Sequence, residues 1–353
     1  MSEQLGVQLG TRRCDWIVQN VPSFSICQCI QPPHDLFFNS GYYKKMRELK
    51  VPGLEIAVPP GSAFACETGP LLPKMHFLCA VVAPRGYGKG VITTGFLEKL
   101  KIIDRLIVVS PSAQSNKALM DRLKHMLDPA DIYSDVNDIT VIDKIIETVD
   151  KERDNYEDYL VKRKRYDRLM KGLRSDKPLF QLNDDDLLSS FQGNQFKPPE
   201  HKWGGRKPCI CVWFDDIFGS QLMIGRGARK ISELAIKHRH ISPLKEGGAL
   251  GVSLIFNMQA YISAQGALSP AIRGNLTLLM LGRMKSEKDL NAIADEVAGE
   301  VDRETFFRVF KQATDRPHSF LVIDMSPKPS HPSPFRRGLD TFIIVPENKN
   351  SAV

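Results

Sequence analysis

Phe77-Leu78-Cys79-Ala80-Val81-Val82-Ala83-Pro84-Arg85-Gly86-Tyr87-Gly88-Lys89-Gly90 is the stretch from which the rest of this chain can be read. The apolar run from Phe77 to Val82 has the length and composition of a buried strand. A glycine turn follows it. Val91-Ile92-Thr93-Thr94-Gly95-Phe96-Leu97-Glu98-Lys99-Leu100 then reads as a helix. Strand, glycine turn and helix in this order aim backbone N–H groups and a helix N-terminus at an anion, and a lysine in the turn adds a point charge. This is the setting of a phosphate-binding loop, with Arg85, Gly86, Tyr87, Gly88, Lys89, Gly90 and Val91 expected around the phosphates. The usual pattern GxxxxGK[ST] is met imperfectly. Ala83 stands in place of the first Gly and Gly90 in place of the Ser or Thr, so Gly90 brings no hydroxyl to a Mg²⁺ ion.

A second run, Cys209-Ile210-Cys211-Val212-Trp213-Phe214, has no polar alternation and ends in Asp215-Asp216. Such runs suit central strands of a parallel sheet covered on both faces, and ligands of such sheets bind at the carboxyl ends of the strands. An acidic pair there is placed to serve a metal through Asp215 and to orient an attacking water through Asp216. The plainer reading is a strand that ends in a solvated Asp-Asp turn.

The chain has 353 residues, 42% hydrophobic and 25% charged, which suits one large α/β domain with additions or two domains. No apolar stretch reaches the roughly 18 residues a membrane helix needs. The N-terminal Met1-Ser2-Glu3-Gln4-Leu5-Gly6 lacks a signal-peptide pattern. Seven scattered cysteines, with no spacing typical of zinc, imply free thiols in a reducing compartment. The net charge of +7 favours a polyanionic partner without specifying one.

Residues 1–70 read as an N-terminal extension with a short helix near Tyr42-Tyr43-Lys44-Lys45-Met46, and residues 71–325 as the core. Arg105-Leu106-Ile107-Val108-Val109 completes a βαβ unit with the first strand. Between Asp138 and Arg174, Ile142, Ile146, Val149, Tyr156 and Leu160 recur at helical spacing among many charges, which predicts a long amphipathic helix inside a charged insertion, 138–206. Lys162-Arg163-Lys164-Arg165 on that helix reads as a solvated face in preference to a nucleic-acid contact. Residues 224–245 hold Arg226, Arg229, Lys230, Lys237, Arg239 and Lys245 against Glu233 alone. Further strands are expected at Gly251–Gln259, Leu276–Leu281 and Ser319–Asp324, with helices near Glu287–Ala298 and Glu304–Thr314, and residues 326–353 form a tail.

The order of these features resembles the FtsK–HerA superfamily of ATP-driven DNA pumps, and within it the genome-packaging ATPases of poxviruses and other viruses with double jelly-roll capsids. The resemblance rests on Gly86-Tyr87-Gly88-Lys89, on the strand ending in Asp215-Asp216, on the strand ending in Gln259 and on Pro270-Ala271-Ile272-Arg273-Gly274-Asn275. The turn Lys237-His238-Arg239-His240-Ile241-Ser242 is similar to the family's basic, His-rich turn. It covers about residues 75 to 325 and leaves the extension, the insertion and the tail unexplained. It implies a RecA-like α/β core with a mostly parallel central sheet flanked by helices. It also implies ATP and Mg²⁺ as cofactors, with Lys89 on the β- and γ-phosphates, Asp215 at the metal and Asp216 as the acid that polarises water. Gln259 would sense the γ-phosphate, and Arg273, or Arg239 as its rival, would act across a subunit boundary as an arginine finger. The plainer readings are a Gln that caps a turn and an exposed Arg after a proline turn.

The function implied is a motor that drives double-stranded DNA into a capsid, with a homo-oligomeric ring, capsid or portal vertex proteins as partners, and a place in the host cytoplasm or the virion. Proximity to a membrane is compatible with this, but a transmembrane segment is not expected. A DNA-binding or assembly protein with weak or no turnover is the alternative. A small-molecule kinase leaves Gln259 and Arg273 without a role.

Overall fold

The computed structural model describes residues 68–174, 197–263, 266–297 and 301–345. The segment around Tyr42 to Met46, nearly all of the N-terminal extension and residues 175–196 lie outside them. Six parallel strands form the body of the sheet: β1 (Leu78–Val82), β2 (Arg105–Val109), β3 (Leu127–Tyr133), β4 (Ile210–Asp215), β5 (Ser253–Met258) and β6 (Leu278–Leu281). Three antiparallel strands, β7 (Leu321–Asp324), β8 (Phe335–Arg337) and β9 (Thr341–Phe342), extend it. The spatial order is β3-β2-β4-β5-β1-β6-β7-β8-β9. This is the mostly parallel, helix-flanked α/β sheet expected from the sequence.

The strands are apolar throughout because both faces are covered. Leu78, Ala80 and Val82 of β1 join a cluster on one face, while Phe77, Cys79 and Val81 join a second cluster on the other. The first face is packed by α3 (Val141–Arg174), α4 (Gly225–Lys237), α6 (Glu287–Glu296) and α7 (Arg303–Ala313). The second is packed by α1 (Lys89–Leu100) and α2 (Lys117–Leu123), with Phe96, Leu97, Leu100, Met120 and Leu123 buried. Between α4 and α6 runs the single turn α5 (Pro270–Arg273). Phe214 and Phe256 stack between neighbouring strands, with ring centroids 4.9 Å apart and planes 5° from parallel. Cys79, Cys209 and Cys211 are buried in this core, in keeping with the apolar packing of thiols.

α3 runs for 34 residues, and its amino-terminal half carries the apolar face, with Val141, Ile142, Ile145 and Val149 buried. Arg105 holds it to the sheet edge. Its guanidinium donates twice to Asp131 at 2.7 Å and once to Glu152 at 2.6 Å, and Trp203 Nε1 donates to the other Glu152 oxygen at 2.9 Å. Further along, Lys162 and Arg163 pair with Asp158 and Asp167 on the same helix, and the run from Val161 to Arg165 is exposed.

α2, β3 and α4 were not expected from the sequence. α2 is short, and β3 contains Pro129 and three consecutive exposed residues, so neither periodicity nor propensity marks it. It is tolerated at the sheet edge, where the register slips between Leu106 and Val108. The chain after Ser326 also supplies β8 and β9, so the sheet continues past the core boundary expected at 325. No helix among the described residues is long and apolar enough to cross a membrane.

Candidate active site

The carboxyl ends of β1, β4 and β5 lie side by side, with β1 flanked by β5 and β6. This crevice is where an open α/β sheet binds its ligand. The loop after β1 turns through Gly86 (φ 75°) and Gly88 (φ 93°), left-handed conformations that glycine adopts without a steric penalty. Lys89 then opens α1, whose first N–H groups have no partner within the helix. The Lys89 ammonium donates to the carbonyls of Ala83 at 2.9 Å and Pro84 at 3.2 Å. Burial pushes its pKa down, and the charges of Asp215 and Asp216 push it back up. Arg85 is exposed at the tip, and Val91 is exposed on the first helical turn.

The tip of the loop is fastened to the chain before β7. The Tyr87 hydroxyl donates to the Ser319 carbonyl at 3.0 Å, and its ring meets Phe320 edge-on with centroids 5.3 Å apart. Gly282, just past β6 (Leu278–Leu281), makes this possible. A methyl there would come within 2.5 Å of the Tyr87 ring and 2.6 Å of the Ala83 side chain.

Asp215 ends β4 almost fully buried. Its Oδ1 accepts from Asn257 Nδ2 at 2.7 Å and its Oδ2 from Ser110 Oγ at 3.4 Å. Burial raises its pKa despite these bonds and despite Lys89. Asp216 follows in a left-handed conformation, φ 53°, and its Oδ1 accepts from Gln259 Nε2 at 2.9 Å. Strained non-glycine backbone of this kind clusters at functional sites. Asn257 also accepts from Thr93 Oγ1 at 2.9 Å. A buried polar chain thus runs from α1 through β5 and β4 to Ser110 at the end of β2.

Asn257, Ser110 and Thr93 were not picked out from the sequence as site residues. Asn257 could have been found as a polar residue inside the apolar run that ends at Gln259, since a fully buried amide needs partners. No cluster of three or more His, Cys, Asp or Glu side chains with metal-binding geometry occurs among the described residues. The donor set still suits Mg²⁺, which keeps most of its water and takes one or two carboxylates together with phosphate oxygens. Asp215 would supply such a carboxylate, with Asp216 beside it. Gly90 is helical, and a methyl on it would lie 3.0 Å from Leu119 Cδ1 on α2. Thr93 and Thr94, the nearest hydroxyls, are fully buried.

Among the described residues, neither candidate arginine makes a hydrogen bond or ion pair with this cluster. Arg273 ends α5 (Pro270–Arg273), donates to Glu296 at 2.7 Å and lies 5.3 Å from the centre of the Tyr261 ring. Arg239 is exposed in the turn after α4. His238 beside it accepts from Val252 N at 2.8 Å and lies 3.2 Å from the His76 carbonyl, which puts this turn at the amino ends of β5 and β1. A strand of five residues, about 16 Å, separates it from the phosphate loop of its own chain.

The chain matches no protein-family model and no curated protein sequence. Its fold is similar to several solved structures at low identity. The genome packaging NTPase from Sulfolobus turreted icosahedral virus 2, in complex with sulfate, is 12% identical with a TM-score of 0.39, over 77% of this chain and 100% of that one. The pCW3 conjugation coupling protein TcpA with ATPgS is 14% identical with a TM-score of 0.38, over 71% of this chain and 59% of that one. EssC, ATPases 2 and 3, from Geobacillus thermodenitrificans is 15% identical with a TM-score of 0.38, over 71% of this chain and 38% of that one.

Proposed function

We propose that this chain is an ATPase that converts nucleotide hydrolysis into movement of double-stranded DNA, as a ring-forming motor of viral genome packaging. The observation that carries the reading is that Lys89, Asp215, Asp216 and Gln259 stand at the carboxyl ends of three adjacent strands, with Asn257 joining Asp215 to the helix that Lys89 opens and Gln259 bonded to Asp216. Lys89 and the amides from Gly86 to Val91 hold the β- and γ-phosphates. Asp215, kept in place by Asn257 and Ser110, takes the Mg²⁺, which neutralises charge on the phosphate oxygens. Asp216 orients the attacking water, and Gln259, hydrogen-bonded to it, reports the γ-phosphate.

A charge on the transferred phosphoryl still needs a cation from outside the loop. Arg239 lies on the edge of the sheet away from its own site, which suits it to a neighbour's site in a ring. Arg273 serves only if it leaves Glu296. DNA contacts go to phosphates, since a pump must ignore sequence, and Arg226 and Arg229 on α4 (Gly225–Lys237) are exposed and available for them. Capsid or portal vertex proteins are the partners, in the host cytoplasm or the virion. Ala83 in place of the first Gly and Gly90 in place of a hydroxyl residue favour the alternative, an assembly or DNA-binding protein with weak or no turnover.

ATP hydrolysis, measured with and without Mg²⁺ and duplex DNA, tests the reading. Mg²⁺-dependent turnover that rises with DNA and is lost in Lys89→Ala supports it. A Lys89→Ala variant with normal turnover removes the phosphate loop, and turnover indifferent to DNA removes the motor.

A further inference from the structure

The residues assigned so far handle the phosphates and leave the nucleoside without a contact. The γ-phosphate end faces β4 and β5, where Asp215, Asp216 and Gln259 stand. β6 and β7 lie on the other side of β1, which is the side of the loop left for the nucleoside once the γ-phosphate is assigned to the acidic pair, as proposed above. Val82 pairs with Leu281, and Leu281 pairs with Leu321. The antiparallel β7 therefore begins at the same edge of the sheet on which the phosphate loop opens.

His318 stands just before that start. It is exposed, in a left-handed conformation at φ 59°. Its Nδ1 lies 3.1 Å from the Tyr87 carbonyl, and a methyl on Gly88 would be 3.8 Å from the same nitrogen. A carbonyl only accepts, so Nδ1 carries the hydrogen and Nε2 is left as an acceptor. The ring tilts against Tyr87 with centroids 5.7 Å apart, and Tyr87 is in turn fixed by Ser319 and Phe320. An exposed flat ring is thus held rigidly beside the phosphate loop, on the side away from the catalytic carboxylates.

We propose that His318, backed by Tyr87, is a stacking platform for the base of a bound nucleoside di- or triphosphate. This rests on the nucleotide site proposed above. Stacking on a π-face is tolerant of base identity, because every base has one.

His318→Asn separates the platform from the loop it touches. Asparagine tolerates the left-handed conformation, and its amide can still donate to the Tyr87 carbonyl, but it has no ring. Calorimetric titration with ADP and with pyrophosphate, on the full chain, reads both ends of the ligand. His318→Asn should weaken ADP by about tenfold and leave pyrophosphate unchanged. Unchanged ADP affinity overturns the platform. An equal loss for ADP and pyrophosphate also overturns it, because His318 would then only position the loop. Lys89→Ala serves as the control. If it binds both ligands as well as the wild type, the nucleotide site itself fails, and the platform with it.

Discussion

Asn257 bridges Asp215 and Thr93. Its Nδ2 donates to the Asp215 carboxylate at 2.7 Å while its Oδ1 accepts from the Thr93 hydroxyl at 2.9 Å. One fully buried amide therefore joins the acid at the end of β4 to the helix that follows the phosphate loop. A shift of either end is felt by the other, because a buried amide that loses a partner has no water to replace it.

Asn257→Ala removes both bonds and leaves a buried carboxylate and a buried hydroxyl short of partners. The expected cost is about 2 kcal/mol of folding stability, measured by urea denaturation. Mg²⁺-dependent nucleotide affinity should fall as well, since the Asp215 carboxylate is no longer held in one orientation. Unchanged stability together with unchanged Mg²⁺ dependence would take Asn257 out of the site.

Asp215→Asn should stabilise the fold at neutral pH. Burial raises the carboxyl's pKa, so the folded chain holds this proton more tightly than the unfolded chain. For such a group the cost is absent below the unfolded value, about 4, and grows as pH rises through the raised folded value. The variant should melt roughly 2 °C higher than the wild type at neutral pH, with the gap closing as pH falls to about 4. It should also lose Mg²⁺-dependent nucleotide binding, as expected where stability is given up for function. A melting point below the wild type's at neutral pH contradicts this account.

Gly90→Ser restores the hydroxyl missing from the loop pattern, but its Cβ meets Leu119 Cδ1 at 3.0 Å. That contact is with the end of a side chain that can move, so the expected loss is small, under about 1 kcal/mol. Adding Leu119→Ala should relieve the contact. Neither variant should raise the hydrolysis rate much, if the site is adapted to Gly90. A large gain in turnover from Gly90→Ser alone points instead to a degraded ATPase.

Arg273 and Glu296 form a pair at 2.7 Å, with the Arg273 side chain 16% exposed and Glu296 also accepting from the Tyr261 hydroxyl. If Arg273 acts in a neighbouring site, Arg273→Ala should cut hydrolysis and spare DNA binding. Mixing in Lys89→Ala subunits, which keep Arg273, should restore part of the rate. Failure of the mixture to recover any activity, while Arg239→Ala mixtures do recover, transfers the role to Arg239.

Duplex DNA binding should weaken steeply with salt and show little sequence preference. Arg226 and Arg229 are exposed with no acidic partner among the described residues, whereas Lys230 donates to Asp143 at 2.5 Å. Neutralising the two arginines should lower the slope of log affinity against log salt by about two, and Lys230→Ala should add little. Filter binding across a salt series reads this directly. An unchanged slope places the DNA elsewhere.

The glycine turn after β1 and the acidic pair at the end of β4 stand where the sequence puts them because each is announced locally. An apolar run that stops at a glycine turn or at two aspartates marks both a strand and its carboxyl end, and a parallel sheet puts its chemistry there. The buried strands, α1 and the long α3 follow from the same short-range patterns. β3 did not, because Pro129 and its exposed neighbours are acceptable only at a sheet edge, and being an edge is a property of the whole sheet. Strand order was equally out of reach, since β1 lies between β5 and β6 through pairings some 175 and 200 residues distant. That order alone brings Asn257 to Asp215 and His318 to Tyr87. It also sends Arg239 to the opposite edge and locks Arg273 onto Glu296. The chemistry of each residue is fixed by the sequence. Which residues become partners depends on long-range strand pairing, because hydrogen bonds and ion pairs act only over a few ångströms of space, whatever the distance along the chain.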